Sequence, residues 1–196
     1  FVRDLATRVG PSVRVVDAKR LRDHVLAILK DDGILADPEL APVRAYVRSA
    51  GEGEDVVDRR SLSLATEMGR LFHEYSLSRA DMIDAWRTRP TVPFALGRDA
   101  AAEFSATERW QRALWARIVP RLRGPGASEV ITVGELSSRL ATCDDLPKRV
   151  HVFGFSYLAM AYQMLFATLA RRADVHVYAL NPCAEFWEDV RTAKPW

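Results

Sequence analysis

Arg149–Phe155 (RVHVFGF) and Asp174–Leu180 (DVHVYAL) are two short β-branched and aromatic runs, and Leu158–Leu169 between them carries a helical pattern. In each run the side chains alternate with a period of two, which sends successive residues to opposite faces of a sheet. Strand, helix and strand in that order form a βαβ unit, and its crossover makes the two strands parallel neighbours. The grammar changes near Pro147, so the expected division is a helical part over residues 1–145 and an α/β part over residues 146–196.

Upstream of that unit the apolar residues recur at helical spacing. Asp17–Lys30 places Leu21, Val25, Ile28 and Leu29 on one face and is expected to stop at Asp31, Asp32 and Gly33, with the glycine as C-terminal cap. Leu40, Val43, Tyr46 and Val47 repeat the spacing before a turn at Gly51–Glu54. The longest pattern runs from about Val56 to Leu77, where Leu64, Met68, Leu71, Phe72 and Tyr75 form a stripe. Ser78, with Asp81 three positions on, is expected to cap the next helix and turn Met82, Ile83 and Trp86 inward. Residues 89–106 hold Pro90, Pro93 and Gly97 without a period and read as a loop. Thr107 then opens a helix with Trp110, Leu114, Ile118 and Leu122 on one side, kinked or shortened at Pro120. After Gly124, Pro125 and Gly126, Thr132 and Glu135 start a short helix to about Ala141. The expected fold is therefore mainly α with a C-terminal α/β portion.

With 196 residues, 48% hydrophobic and 28% charged, the chain has ordinary globular composition, which excludes disorder, collagen and low complexity. No run approaches the roughly 18 apolar residues of a membrane span, so no membrane partner is expected. Cys143 and Cys183 are the only cysteines, too few for a disulfide framework, and a cytoplasmic location is expected. The chain starts on Phe1 directly in a helical pattern, which reads as an internal piece of a longer polypeptide.

The net charge of +2 predicts no polyanion partner, but its distribution is uneven. Between Arg59 and Arg123 there are twelve arginines, no lysine and seven acids, and from Arg109 to Arg123 five arginines and no acid. That stripe makes Arg109 and Arg112 candidate contacts to a DNA backbone.

Catalytic chemistry has few footholds. There is no G-x-x-x-x-G-K-[ST] phosphate loop, and the strand that would carry a magnesium-binding acid ends in Gly154, Phe155 and Ser156. Without a carboxylate there, a metal and the charge of a transferred phosphoryl group have no counterion. The acid pairs Asp31–Asp32, Asp144–Asp145 and Glu188–Asp189 are adjacent in sequence and diverge, as solvated turns do. His24, His73, His151 and His176 lack metal-ligand spacing, and His151 and His176 belong to one face or edge of the sheet. Both cysteines read as inert thiols. Trp86, Trp110 and Trp115 suit a core, and Trp187 follows Phe186 in an aromatic cluster. No catalytic residue, metal or cofactor is expected of this chain.

The stretch Val150–Asp189, read V-H-V-F-G-F-S-Y-L…Y-Q-M-L-F-A-T-L-A…D-V-H-V-Y-A-L-N-P-C…F-W-E-D, resembles the gamma chain of exodeoxyribonuclease V, the RecC family. Its most specific part is Asn181-Pro182-Cys183 followed by an aromatic, Trp187 and Asp189. Upstream, Leu71-Phe72-x-x-Tyr75-x-x-x-Arg79-x-Asp81-x-x-x-x-Trp86 and Trp110-Gln111-x-x-Leu114-Trp115 recur in order. The resemblance implies a superfamily 1 helicase-like fold without ATPase motifs, in which a 1B-type helical subdomain returns to a parallel 1A-type sheet. It implies a heterotrimer with helicase-nuclease beta and helicase alpha subunits, which splits duplex ends for recombination and scans single-stranded DNA for a Chi signal.

Carried over by position, Leu71 and Arg79 match residues that line the scanning channel. Arg70 and His73 fall where the family carries acidic groups, a departure that bears on the recognised sequence. Arg70, His73, Leu77 and Arg79 do not share one helical face, since three residues turn through roughly 300 degrees. Arg79 follows the helix end, from where it can turn toward a strand, to a phosphate or to guanine. Its bland alternative is a surface arginine paired with Asp81 or Glu74. Two other functions compete: an AddB-type or other helicase subunit with catalytic motifs elsewhere, and a structural clamp in which Arg109–Arg123 bonds protein acids.

Overall fold

A computed structural model describes residues 1–49, 53–94, 102–123, 128–155 and 157–179. Helix α1 (Val2–Val9) leads into a two-residue strand β1 (Arg14–Val15), and then come α2 (Ala18–Leu29), α3 (Asp32–Leu35), a 3-10 turn at Pro38–Leu40 and α4 (Ala41–Val47). The long α5 (Glu54–Ser78), α6 (Ala80–Thr88) and α7 (Ala102–Leu122) follow. Strand β2 (Val130–Ile131), α8 (Val133–Leu140), β3 (Arg149–Phe153), α9 (Met160–Ala170) and β4 (Asp174–Tyr178) complete the described chain.

The deciding stretch folds as expected. β3 and β4 pair in parallel from Arg149 against Asp174 to Phe153 against Tyr178, with α9 as the crossover. Val150 and Val152 are buried, while the other face of the ladder, with His151 and His176 stacked at 4.9 Å, is open.

The helical part departs from the expected run of helices. β1 and β2, far apart in sequence, pair in parallel, with Arg14 N–H donating to the Glu129 carbonyl at 2.8 Å and Val16 N–H to that of Ile131 at 2.9 Å. Runs this short give no readable alternation. Gly33 is not the cap of α2: the Asp31 carboxylate accepts from Ile34 N–H at 3.1 Å and starts α3, so no left-handed residue is needed. Ser78 does not cap α6 either. It closes α5, its hydroxyl donating to the Glu74 carbonyl at 2.8 Å, and α6 starts after Arg79 without a side-chain cap. Thr107 lies inside α7, which begins at Ala102 and carries Pro120 within its last turn to Leu122. The expected capping box is present, Thr132 and Glu135 each bonding the other's backbone N–H.

Two cores result. One joins α2 to α7 around Leu21, Ile28, Phe72, Trp86, Trp115 and Ile118, with Phe72 and Trp115 in edge contact at 5.4 Å between ring centres. The other packs α1 and α8 on α9 through Leu5, Leu136, Leu140 and Leu165. The β1–β2 pair stands between them: Val16 and Val130 face the first core, Val13 and Ile131 the second.

In the first core α2 packs tightly on α5 at Gly69. Asp17 caps α2 by accepting from Arg20 N–H at 2.8 Å, and the turn it starts lies against Gly69. A Cβ on Gly69 would fall 2.7 Å from the Ala18 carbonyl oxygen and 2.7 Å from the Arg22 nitrogen. Alanine is the better helix former by about 1 kcal/mol, yet Gly69→Ala should destabilise the fold by about 1–3 kcal/mol through overpacking, read as a lower denaturant midpoint at unchanged m-value. Burial lowers the imidazole pKa of His24, helped by Arg121 and Arg20, and burial lowers that of His73 against the pull of Asp17. The unfolded chain therefore binds more protons below its own histidine pKa of about 6.5. Stability should fall as pH drops below that value, and His73→Gln should flatten the decline in unfolding scans.

Candidate nucleic-acid interface

Arg79 sits at the corner where α5 hands over to α6. Its N–H continues α5 by donating to the Tyr75 carbonyl at 2.8 Å, and its own carbonyl accepts from Ile83 N–H at 3.1 Å to start α6. The backbone is thus fixed on both sides, and the half-exposed side chain enters a cleft of about 780 Å3 between α6, α8 and the start of α9. Ile83, Met160 and Met164 give this cleft an apolar floor. Arg79, Arg87 and Arg139 on its walls are balanced by Asp81, Asp84 and Glu135.

The ion pairs in the cleft are formed within α6 and the residue before it, within the α8 region and between the two helices. Arg79 Nε lies 3.6 Å from Asp81 Oδ1, and Arg87 bonds Asp84 and reaches Glu135 at 3.6 Å. Arg139 bonds Glu129 at 2.5 Å, and that hydrogen bond holds the Glu129 carboxyl below the usual range. Arg79 differs in having an aromatic neighbour: its guanidinium carbon is 5.5 Å from the Phe94 ring centre.

The other sequence candidates do not line this cleft. Leu71 is half-buried and packs against the helical core. Arg70 lies on the solvent face of α5 and pairs with Glu67 at 3.3 Å and Glu74 at 3.2 Å. His73 turns toward the start of α2, with Nδ1 buried and without a hydrogen-bond partner among the described residues. Arg109 is exposed on α7.

Arg112 corrects the reading of the arginine run as one basic stripe. It is 2% exposed and gives its Nε–H to Glu108 at 3.1 Å and an amino group to the Pro90 carbonyl. A guanidinium so enclosed has no free donor edge for a phosphate. Arg117 pairs with Asp37, and Arg123 with Glu135 at 2.6 Å, so three of the five arginines between Arg109 and Arg123 serve acids of their own chain. The period of α7 places them on the helix but does not say which of its turns meets an acid.

Glu108 escaped the sequence reading altogether. It is 5% exposed, and its Oε1 accepts from Trp86 Nε1 at 2.8 Å, Phe94 N–H at 3.2 Å and Arg112 Nε at 3.1 Å. One oxygen thereby ties α6, α7 and the segment after α6. The one available signal was Glu108 four residues before Arg112, a spacing shared by many exposed helix pairs. The motif residues Asn181, Pro182, Cys183, Phe186, Trp187 and Asp189 lie outside the described residues.

Among the described residues no group of three or more histidine, cysteine or acidic side chains is placed to hold a metal ion, and no helix is long and apolar enough to cross a membrane. The family model described as "RecC, N-terminal domain" matches residues 1–195. The chain belongs to the RecC family. It is 27% identical over 200 aligned residues to the RecBCD enzyme subunit RecC of Escherichia coli K12, covering 97% of this chain and 16% of that protein. Against the same subunit of Haemophilus influenzae the figures are 23% over 171 residues, 80% and 15%, and against that of Mycolicibacterium smegmatis 25% over 167 residues, 83% and 14%. The chain thus spans about 15% of the length of these RecC subunits. No solved structure matches it.

Removing Glu108 strands a buried guanidinium and an indole N–H. Glu108→Ala should cost about 3–5 kcal/mol, with Glu108→Gln losing less because it keeps an acceptor for Trp86. Denaturant unfolding monitored by tryptophan fluorescence measures both.

Proposed function

We propose that this chain is the helicase-like N-terminal part of a non-catalytic RecC-type subunit. Its complex is a bacterial cytoplasmic helicase-nuclease that processes double-strand ends for recombination. The match of the RecC N-terminal domain over residues 1–195 carries this reading. In it, residues 1–145 form a 1B-like helical subdomain and residues 146–196 return to a 1A-like sheet. The partners are the beta and alpha subunits of the same assembly and single-stranded DNA.

Two features of the fold support a subunit that handles DNA without hydrolysing nucleotide. β3 is followed by Gly154, with φ +80°, and Phe155, so its carboxyl end offers backbone and an aromatic ring where an ATPase needs an acid. The exposed arginines Arg79 and Arg109 are candidate strand contacts, and Arg79 has the better-defined setting. A guanidinium donates two parallel N–H bonds, a geometry that suits a phosphate or the O6 and N7 of guanine. On this reading Arg79 scans the strand for a Chi-type signal. Arg70, exposed on the last turns of α5, is a further candidate contact, while Leu71 and His73 face the helical core and the start of α2 and support that helix from within. Arg112, enclosed with Glu108, supports the fold rather than touching the strand.

The test uses the full-length subunit in the assembled complex, comparing wild type with Arg79→Ala on random and signal-bearing duplexes. Unwinding should persist, while signal-dependent cutting falls at least about fivefold, the lower end of the roughly 1–3 kcal/mol that a bidentate base contact contributes. Unchanged cutting and unchanged unwinding would remove Arg79 from the reader.

A further inference from the structure

An arginine that must meet a planar acceptor edge-on needs the plane of its guanidinium fixed, and a long side chain leaving a helix end does not fix that plane by itself. Two groups flank Arg79. Asp81 Oδ1 stands 3.6 Å from Nε, and the Phe94 ring centre lies 5.5 Å from the guanidinium carbon. The terminal nitrogens make no hydrogen bond among the described residues. Phe94 is itself held from behind: its backbone N–H donates to the buried Glu108 carboxylate at 3.2 Å, and its ring packs against the helical core.

We propose that Phe94 is a positioning residue for Arg79. Its ring supports one face of the guanidinium, Asp81 holds the Nε edge, and the edge bearing the two terminal nitrogens is left free for a planar acceptor on a DNA strand. The order of support runs from Glu108 to the Phe94 backbone, from the Phe94 ring to the Arg79 cation, and from Arg79 to the strand. This assignment rests on the reading of Arg79 as a strand contact, and it adds an aromatic residue from a segment separate from α5.

In the assembled complex, Phe94→Leu keeps apolar bulk and removes the π face, while Phe94→Tyr keeps the ring. Phe94→Leu should lower signal-dependent cutting about two- to fivefold, the factor that corresponds to an exposed cation–π contact, with unwinding unchanged and Phe94→Tyr at wild-type response. In an Arg79→Ala background, Phe94→Leu should add nothing. Phe94→Met replaces the leucine variant if the latter lowers assembly. Three results overturn the proposal: a wild-type response from Phe94→Leu while Arg79→Ala loses it, a tyrosine variant as impaired as the leucine one, or losses that multiply in the double variant. The first leaves Arg79 in the reader and removes only Phe94. Loss of the response from neither single variant removes both.

Discussion

The contact of α2 with α5 at Gly69 is the constraint on which the helical part depends. Two backbones can approach this closely only where a side chain is missing, and here the facing surface is the first turn of α2, fixed by the Asp17 cap. That approach brings Phe72 into the layer that meets Trp115 of α7 and aligns the last turns of α5. Arg79 follows those turns directly, so its place at the mouth of the cleft descends from a packing decision ten residues earlier.

A second anchor, Glu108, works by electrostatics rather than shape. Three donors converge on one oxygen that is almost fully removed from water, where each bond is stronger and each unpaired group costlier than at the surface. The arrangement turns a charge pair that composition counts as part of a basic segment into internal scaffolding. It also explains how an arginine-rich helix presents less free positive charge than its composition suggests: the acids that answer Arg112, Arg117 and Arg123 come from α7 itself, the turn before α4 and α8.

Much of the architecture is legible along the chain because it is local. The strand–helix–strand order around RVHVF and DVHVY announced a parallel pair, and the stripes in α2, α5, α6 and α7 announced the faces that fill the first core. The motif spacing from Leu71 to Trp86 pointed to the family. The errors came where two local options compete: Ser78 bonding back into α5 instead of capping α6, and Asp31 restarting a helix where Gly33 was expected to end one. The β1–β2 pair was invisible for another reason. Two residues carry no period, and their pairing is a contact between distant segments.

The candidate site divides in the same way. The sequence by itself determined the apolar faces of α2, α5, α6 and α7, the parallel βαβ unit, the missing phosphate loop and Arg79 at a helix end, since all follow from the order and spacing of neighbours. Only the tertiary structure decided which arginines are enclosed, that Arg79 opens on a cleft which Leu71 does not line, and that Phe94 lies beside that guanidinium. Periodicity fixes which side of an element is apolar, but the partner of a charge or a ring is set by how elements remote in sequence come together in space.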